Sequence, residues 1–511
     1  MRELRFILGD QLNRNHSWFR TVEKDVLYLM VEAKSETEYV KHHIQKLISI
    51  FMAMRAFRDS LSQLGHKVKY IQLDNKDHSG KISEEILKVC RKEQVEAFAY
   101  QLPDEWRLDE ELKEISKVLS KNFKIKCRVV DTEHFLTTRD ELKSFFGNKQ
   151  YRMEYFYRHL RKKYNILMSE ENNPLGGEWN YDEKNRKRYD AKIKIKKRNW
   201  IEKSSVDLKK LFRDTPSMGR VGDSIFWPIS RDESLKYLKE FISKYFEGFG
   251  PYQDAMTEAD SFLFHSCISF SLNTKQISPK EVIDEAITFY KKNSDRISLA
   301  TVEGFVRQIL GWREFVRGIY WAEMPSYQNL NFLNQKEDLP GWMWTGNTKM
   351  NCMNHSLRQS LDLAYAHHIQ RLMVIGNFML LLGVHPDQVD EWYLGVYIDA
   401  FQWVELPNTR GMSQFADGGK LASKPYISSA NYIDKMSDYC KNCFYDKSTK
   451  TEKNSCPYNS LYWDFLARNK SKFESNPRIG FAYKTWSKFS ESERKKIQAK
   501  AKALISEKEN L

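Results

Sequence analysis

The sequence predicts an amino-terminal α/β domain with a doubly wound parallel sheet, followed by a large all-α domain. Over residues 1–134, short β-rich runs alternate with long helical stretches, which is typical of a parallel sheet with helices on both faces. Over residues 232–511 the apolar spacing is helical almost without a break, as in an all-α domain. Residues 135–231 begin helical and then lose this periodicity, so we interpret them as a connector.

Five runs in the first domain are predicted strands because β-branched and aromatic residues cluster between turn signals: 4–9, 26–32, 67–74, 97–104 and 127–132. Predicted helices occupy 36–64, 83–92 and 105–119. Ligands of such sheets bind beyond the carboxyl ends of the strands. Asp10 directly follows the first strand, and Glu36 and Tyr39 follow the second, so these three are candidate ligand contacts. The chain has no G-x-G-x-x-G motif, so no NAD-type pyrophosphate site is predicted.

The composition indicates a basic globular protein. Lys and Arg exceed Asp and Glu to give a net charge of +14, and such a surface attracts polyanions, nucleic acid before membrane. There is no apolar stretch of about 18 residues and no cleavable signal pattern, so a cytoplasmic protein without a membrane span is expected. The basic run 174–200 also carries aromatic residues. It is either a solvated face or a loop that contacts a phosphate backbone.

Four of the seven cysteines form the sharpest chemical pattern, namely Cys352, Cys440, Cys443 and Cys456. A C-x2-C pair with one cysteine downstream and one far upstream can close a four-thiolate metal shell. Four thiolates suit zinc or an iron–sulfur cluster. A zinc module usually shows two close pairs, whereas this chain has one, which favours a cluster. The other three cysteines, Cys90, Cys127 and Cys267, are predicted to be buried packing residues.

An adjacent histidine pair lies in an apolar helical pattern at His367 and His368. Such a pair is usually structural, but an imidazole that faces a cavity can act as a general acid near neutral pH. Trp344, Trp392 and Tyr393 are ordinarily core residues, and they can also relay electrons to a buried cofactor. The residues alone leave both alternatives open.

Several motifs in one order resemble the iron–sulfur bacterial branch of the photolyase and cryptochrome family, the prokaryotic (6-4) photolyases. They are GDQL (9–12), ETEYVKHH (36–43), GGEWNYDEKNR (176–186), GWREFVRGIYW (311–321), HHIQR (367–371), EWYLGVYIDAFQWVELPN (391–408), KPYISSANYI (424–433) and the four cysteines. Each motif is weak alone, whereas the ordered set is highly specific and runs through nearly the whole chain.

The resemblance implies an α/β antenna domain over 1–134, a connector with a DNA-facing basic loop over 135–231, and an FAD-binding helical domain over 232–511. It implies three cofactors: FAD, a 4Fe-4S cluster on the four cysteines, and a 6,7-dimethyl-8-ribityllumazine antenna. The antenna positions are Asp10, Glu36 and Tyr39. The FAD positions are Ser266, Ser269, Arg313, Asp399 and Glu405, and the segment around the two serines departs from the family pattern at Cys267 and at 273–276.

The activity that the resemblance implies is light-driven repair of pyrimidine (6-4) photoproducts by a DNA photolyase, a lyase. Excited reduced FAD would pass an electron to the lesion, and His368 would protonate it, with His367 as the second choice and Tyr426 nearby. Trp344, Trp392 and Tyr393 match a chain that photoreduces the flavin. Asp182 and Arg186 match the loop that holds the opened duplex. The partner would be UV-damaged DNA, and a monomeric, cytoplasmic bacterial protein is expected.

Two alternatives belong to other functional classes. The first is a cryptochrome-like blue-light photoreceptor that uses the same FAD without repair. The second is a zinc-containing nucleic-acid-binding protein without photochemistry. The sequence also leaves open the role of the cluster, which antenna is bound, the order of electron transfer and whether cyclobutane dimers are repaired.

Overall fold

A five-stranded parallel sheet forms the amino-terminal part of the structure, a computed structural model that describes residues 2–511. Its strands are β1 (Glu3–Phe6), β2 (Val26–Val31), β3 (Val68–Ile71), β4 (Ala97–Gln101) and β5 (Lys126–Val130). The strand order is β3-β2-β1-β4-β5, and every neighbouring pair is parallel. This topology confirms the predicted doubly wound sheet. All five predicted strands are present, with shifted or shorter ends.

Helices cover both faces of the sheet: α1 (Lys34–Thr37), α2 (Ile44–Gln63), α3 (Ile82–Lys92) and α4 (Trp106–Phe123). Successive residues of a strand point to opposite faces. In β2, Leu29 packs in the cluster that contains Ile86 of α3 and Leu112 of α4, whereas Met30 packs with α2 around Ile48. The two cores hold the helices in place and leave the carboxyl end of the sheet open to a ligand.

The rest of the chain is helical apart from loops and a small two-stranded antiparallel sheet, β6 (Lys203–Ser204) with β7 (Ser224–Ile225). The helices are α5 (Glu141–Phe146), α6 (Met153–Tyr164), α7 (Val206–Leu211), α8 (Arg231–Lys244), α9 (Phe246–Tyr252), α10 (Ser269–Asn273), α11 (Pro279–Lys292), α12 (Leu299–Val306), α13 (Glu314–Glu323), α14 (Asn351–Leu363), α15 (Asn377–Leu382), α16 (Pro386–Val396), α17 (Gln402–Leu406), α18 (Ala430–Met436), α19 (Pro457–Arg468), α20 (Lys470–Phe473), α21 (Gly480–Trp486) and α22 (Glu491–Ser506). Within residues 2–511, no helix is both long and apolar enough to cross a membrane.

The single helix predicted over 36–64 is wrong, because the chain breaks between α1 and α2. The break is stabilised by contacts with distant segments. The His43 amide donates to Gly395 O over 2.9 Å, and its ring Nε2 lies 2.9 Å from Leu361 O. Its Nδ1 accepts from the Gln45 amide over 3.1 Å and caps α2. These contacts place Tyr39 on the open loop before α2.

The continuous helix predicted through the histidine pair is also interrupted. Helix α14 ends at Leu363, and Ala364 adopts a left-handed conformation with φ 53°. Two carbonyls of the next residues bind groups other than the amides of a continuing helix. Ala364 O accepts from the Ile398 amide over 2.8 Å, and Ala366 O accepts from Arg371 Nε over 2.7 Å. His367 therefore lies in a turn, and helical structure resumes at His368.

Three segments of the helical part have π-helical geometry: Arg307–Arg313, Gln370–Gly376 and Pro407–Ser413. Such segments are rare in α-helices and occur frequently at functional sites. One contains Arg313, another begins just after His368, and the third follows Glu405, so all three adjoin predicted site residues.

Candidate functional site

A cleft lies at the carboxyl end of the sheet. It is bordered by Asp10 after β1, by Glu36 and Tyr39 near the end of β2, and by Asp104 and Glu105 after β4. Strands β1 and β4 are neighbours whose connections leave in opposite directions along the sheet, and ligands bind at such switch points. The structure thus brings together the three residues that sequence reasoning selected for a ligand here.

Arg107 organises one wall of this cleft. Its two terminal nitrogens donate to both oxygens of Glu36, over 2.7 and 2.8 Å, and its guanidinium lies 4.4 Å from the centre of the Tyr39 ring. A bidentate pair holds both side chains in one orientation. The Glu36 carboxylate and the Tyr39 ring are therefore preorganised for a flat polar ligand.

Lys275 crosses from the helical part into the other wall. Its Nζ lies 2.7 Å from Asp10 Oδ2 and 2.9 Å from Asp104 Oδ2, and all three side chains are nearly or fully buried. Burial raises the pKa of Asp10 against the opposing effect of Lys275. Burial also acts to raise the pKa of Asp104, but Lys275 and Arg317 lower it below its ordinary value. The buried ammonium of Lys275 thus pairs with Asp10, which follows β1, and with Asp104, which follows β4.

A second polar site lies in the helical part around Asp399. Arg371 makes a bidentate pair with its carboxylate over 3.0 and 3.2 Å, and Ser269 Oγ donates to Oδ2 over 2.6 Å. Burial acts to raise the pKa of Asp399, but Arg371 lowers it below its ordinary value. The Arg371 guanidinium also stacks 3.8 Å from the Tyr397 ring centre. The predicted Ser269 and Asp399 are in contact as a result.

Glu405 and Arg313 also lie near this pair. Burial raises the pKa of Glu405, against the opposing effects of Arg371 and of Thr409, whose Oγ1 donates to Glu405 Oε1 over 2.6 Å. Arg313 packs over the rings of Phe135 and Trp403. It is joined to Asp399 through a neighbouring side chain: Asn273 Oδ1 accepts from Arg313 Nε over 3.4 Å, and Asn273 Nδ2 donates to Asp399 O over 2.8 Å.

Three histidines meet beside Ser266. The rings of His265 and His367 stack in parallel with centres 4.6 Å apart, and the His368 ring is 5.9 and 6.1 Å from them. Burial lowers the pKa of His265 and of His367 well below the ordinary value, so both rings are neutral. The side chain of His368 is half exposed, and its Nε2 lies 3.2 Å from Asp254 Oδ1.

Charged groups surround Tyr426 on the same side. Burial raises the pKa of Tyr426, and Asp182, Arg186 and Asp254 act on it electrostatically. Asp182 is paired with Arg186, and its other oxygen lies 2.8 Å from Arg307 Nη2. Asp254 links this group to His368, so His368, Tyr426 and the loop residues Asp182 and Arg186 lie in one region.

Aromatic residues form a buried contact next to Arg371. The rings of Trp392 and Tyr393 are 5.4 Å apart, and Tyr397 lies 5.5 Å from Tyr393. Trp344 is 37% exposed, and Lys41 Nζ lies 5.2 Å from the centre of its ring. The structure places Trp392 and Tyr393 in the core and Trp344 at the surface.

Cys352, Cys440, Cys443 and Cys456 line one small cavity. Over residues 2–511, no group of three Cys, His, Asp or Glu side chains has the geometry to hold a single metal ion. The structure brings the four predicted cysteines together around one cavity. Of the remaining cysteines, Cys90 and Cys267 are buried as predicted and Cys127 is half-buried.

Sequence reasoning missed five polar residues that complete these sites: Arg107, Lys275, Asp254, His265 and Arg371 as the partner of Asp399. Lys275 and Asp254 carry no local signal because their partners are more than a hundred residues away in sequence. His265 directly precedes the predicted Ser266, but the histidine pair that it meets in the fold is about a hundred residues away in sequence, so its contact with the pair had no local signal either.

Three comparisons place the chain among known proteins. Residues 5–216 match the family model described as deoxyribodipyrimidine photo-lyase-related protein. The chain is 40% identical to a (6-4) photolyase of Agrobacterium fabrum, over 99% of each chain. Its fold is similar to that of a bacterial class III photolyase from Agrobacterium tumefaciens, with a TM-score of 0.60 and 15% identity over 99% of this chain and 98% of that one.

Proposed function

The chain belongs to the family of the bacterial (6-4) photolyases, and on this premise we propose that it repairs pyrimidine–pyrimidone (6-4) photoproducts in DNA in a light-dependent reaction. The observation that carries this proposal is the 40% identity to a (6-4) photolyase over 99% of both chains. Because this full-length similarity is to a repair enzyme, the photoreceptor alternative is not favoured.

The family implies FAD, and buried polar atoms without partners support a place for it. Within the described residues, Nε2 of His265 and Nε2 of His367 are buried without a hydrogen-bond partner, although buried polar groups are normally paired. When bound, reduced and excited by light, FAD would supply the electron for repair. The residues that would hold it are Ser266, Ser269, Arg313, Asp399 and Glu405.

His368 is proposed as the residue that protonates the lesion. Its half-exposed ring can meet a substrate, and Asp254 at 3.2 Å would orient the ring and stabilise its protonated form. His367 is the weaker candidate because its ring is buried and stacked on His265. A damaged base must leave the helix to reach this site, and Tyr426 is proposed to contact it there.

Arg186 is proposed to contact the DNA backbone, with Asp182 as its support. The Arg186 side chain is 57% exposed, whereas Asp182 lies between Arg186 and Arg307. A free carboxylate would repel phosphate, but one neutralised by two guanidinium groups can hold Arg186 in position. This arrangement assigns the two residues different roles in binding UV-damaged DNA.

Trp392 and Tyr393 are proposed to carry electrons inward from Trp344. Their ring contact continues through Tyr397 to Arg371 and Asp399. Trp344 is the exposed member and would be the end that is re-reduced from solution. Tyr397 is a further candidate for this chain.

The cleft at the sheet is proposed to bind the antenna, 6,7-dimethyl-8-ribityllumazine. The orientation in which Arg107 holds Glu36 and Tyr39 suits a heteroaromatic ring, on which Tyr39 can stack while Glu36 and Asp10 accept hydrogen bonds.

The four cysteines are proposed to hold a 4Fe-4S cluster. The support is that all four cysteines line one cavity and that the chain has one close cysteine pair, whereas a zinc module usually shows two. We expect anaerobically purified protein to contain iron, and Cys443→Ser to lose most of it because metal binding and folding of the shell are coupled. Elemental analysis measures both, with Cys127→Ser as the control that keeps its iron. Zinc in place of iron would contradict the cluster.

The proposed repair is tested with a duplex oligonucleotide that carries one (6-4) photoproduct. We expect the flavin-loaded protein to restore the two bases under blue light and to leave the lesion unchanged in the dark. Chromatography of the digested DNA measures the restored bases. Normal flavin photoreduction without repair would instead support the photoreceptor alternative, and a purified protein without flavin absorption would contradict both.

A further inference from the structure

Gln370 occupies a buried position between the histidine turn and the four cysteines. It is 1% exposed and begins the π-helical segment Gln370–Gly376. Its side-chain oxygen accepts from the His367 amide over 3.1 Å. Because an amide N–H can only donate, this contact fixes the orientation of the Gln370 amide group.

The Gln370 nitrogen uses both of its hydrogens. Nε2 donates to Gln359 Oε1 over 2.9 Å and to the Tyr439 hydroxyl over 3.0 Å. Gln359 in turn donates to Ser261 O over 3.0 Å, four residues before His265. Every polar atom of the Gln370 side chain is therefore paired, and such a satisfied buried network specifies one arrangement of the segments that it joins.

Tyr439 continues the network to the cysteines. It directly precedes Cys440, and its carbonyl accepts from Asn351 Nδ2 over 2.8 Å, where Asn351 directly precedes Cys352. The Tyr439 ring is also stacked on His355, with centres 5.5 Å apart and an angle of 18°. Hydrogen bonds thus connect the segments of Cys352 and Cys440 to the Gln370 side chain, which also binds the backbone of His367.

We propose that Gln370 is a positioning residue that, through Tyr439, ties the segment carrying His367 and His368 to the four-cysteine site. The segment needs such a tie because α14 is interrupted at Ala364 and residues 364–367 have no helical structure, so His368 stands at the start of the next helical segment. The cysteine site then acts as the anchor that holds the proton donor at the lesion. This inference rests on the proposed function, since it takes His368 as the proton donor.

The test compares Gln370→Met, Gln370→Glu and Tyr439→Phe in the full-length, flavin-loaded protein. Methionine has nearly the same shape and removes all three hydrogen bonds. Glutamate can still accept from the His367 amide and from the Tyr439 hydroxyl. Phenylalanine removes one hydroxyl and keeps the ring stacked on His355. Gln414→Met is the matched control: Gln414 is equally buried and bonds to Gly376 O at the other end of the same segment.

We expect Gln370→Met to lower kcat for repair by about tenfold, as misplacement of a catalytic group does, with KM, DNA affinity and iron content unchanged. Gln370→Glu should restore most of the loss, and Tyr439→Phe should show a smaller loss in kcat. Equal kcat in Gln370→Met and Gln414→Met, or a glutamate variant no better than methionine, would overturn the proposal.

Two further outcomes are decisive. If Gln370→Met fails to fold, Tyr439→Phe decides alone: a lowered kcat with normal iron supports the tie, and an unchanged kcat overturns it.

The wild-type protein is assayed in the same series. Absence of repair by the wild type would overturn the proposed function together with the tie, whereas repair by the wild type with unaffected variants overturns the tie alone.

Discussion

His368→Ala is expected to lower light-dependent repair of a (6-4) photoproduct by about 10²–10⁴-fold, the usual contribution of a positioned general acid, while FAD stays bound. His368 is the exposed member of the three-histidine cluster, and its Nε2 faces Asp254. The substitution removes the proton donor and leaves the buried pair of His265 and His367 in place. The measurement is the single-turnover repair yield after a light pulse, with flavin absorbance as the check on cofactor binding.

The control for this variant is His159→Ala. His159 is also partly exposed and lies 3.6 Å from a carboxylate, Glu141, but it is on α6, outside the site. Its repair yield should equal that of the wild type. Repair that persists in His368→Ala would move the catalytic role to His367 or to water, and the double variant His367→Ala/His368→Ala would distinguish these.

Lys275→Met is expected to lower the free energy of unfolding by about 3–5 kcal/mol, the cost of leaving buried charges without their partner. The Lys275 ammonium lies between Asp10 and Asp104, and all three groups are buried. Denaturant unfolding followed by circular dichroism measures the change. In Lys280→Met, the matched exposed lysine that pairs with Asp284, the loss should be about 0.5 kcal/mol or less.

The same variant should regain stability as the pH falls. Burial raises the pKa of Asp10 even beside Lys275, and removal of the ammonium takes away the largest effect that opposes it. A raised carboxyl pKa means that the folded state binds more protons than the unfolded chain, so stability increases as the pH falls through the raised pKa of Asp10. An unfolding midpoint of Lys275→Met that does not increase relative to wild type as the pH falls would contradict the burial of an unpaired Asp10 carboxylate.

The features that the sequence could predict are those with a local pattern. Asp10, Glu36 and Tyr39 were accessible because they follow strands, and the carboxyl ends of parallel strands meet at one edge. The cysteines were accessible because their spacing is a motif. Arg107 and Lys275, which orient those same residues, have no such pattern, because their positions depend on packing between distant segments.

The interruption at Ala364 illustrates the same limit in another form. The residues around the histidine pair are good helix formers, so local propensity predicts a continuous helix. The backbone instead turns because the carbonyls of Ala364 and Ala366 bind Ile398 and Arg371, and tertiary contacts override propensity. The position of the His368 side chain depends on this interruption and could not be predicted from the periodicity of the sequence. The sequence could only single out His368 as a candidate residue.

The three π-helical segments also affect how relatives should be aligned. A π-helical turn closes its hydrogen bond over one more residue than an α-helical turn, so it takes up an extra residue that would rotate the rest of a regular α-helix by about 100° about its axis. A relative that lacks one residue in Gln370–Gly376 can therefore form an α-helical turn there and keep the helix beyond it in nearly the same orientation. A one-residue gap in an alignment at Arg307–Arg313, Gln370–Gly376 or Pro407–Ser413 is therefore compatible with the same arrangement of the flanking helices.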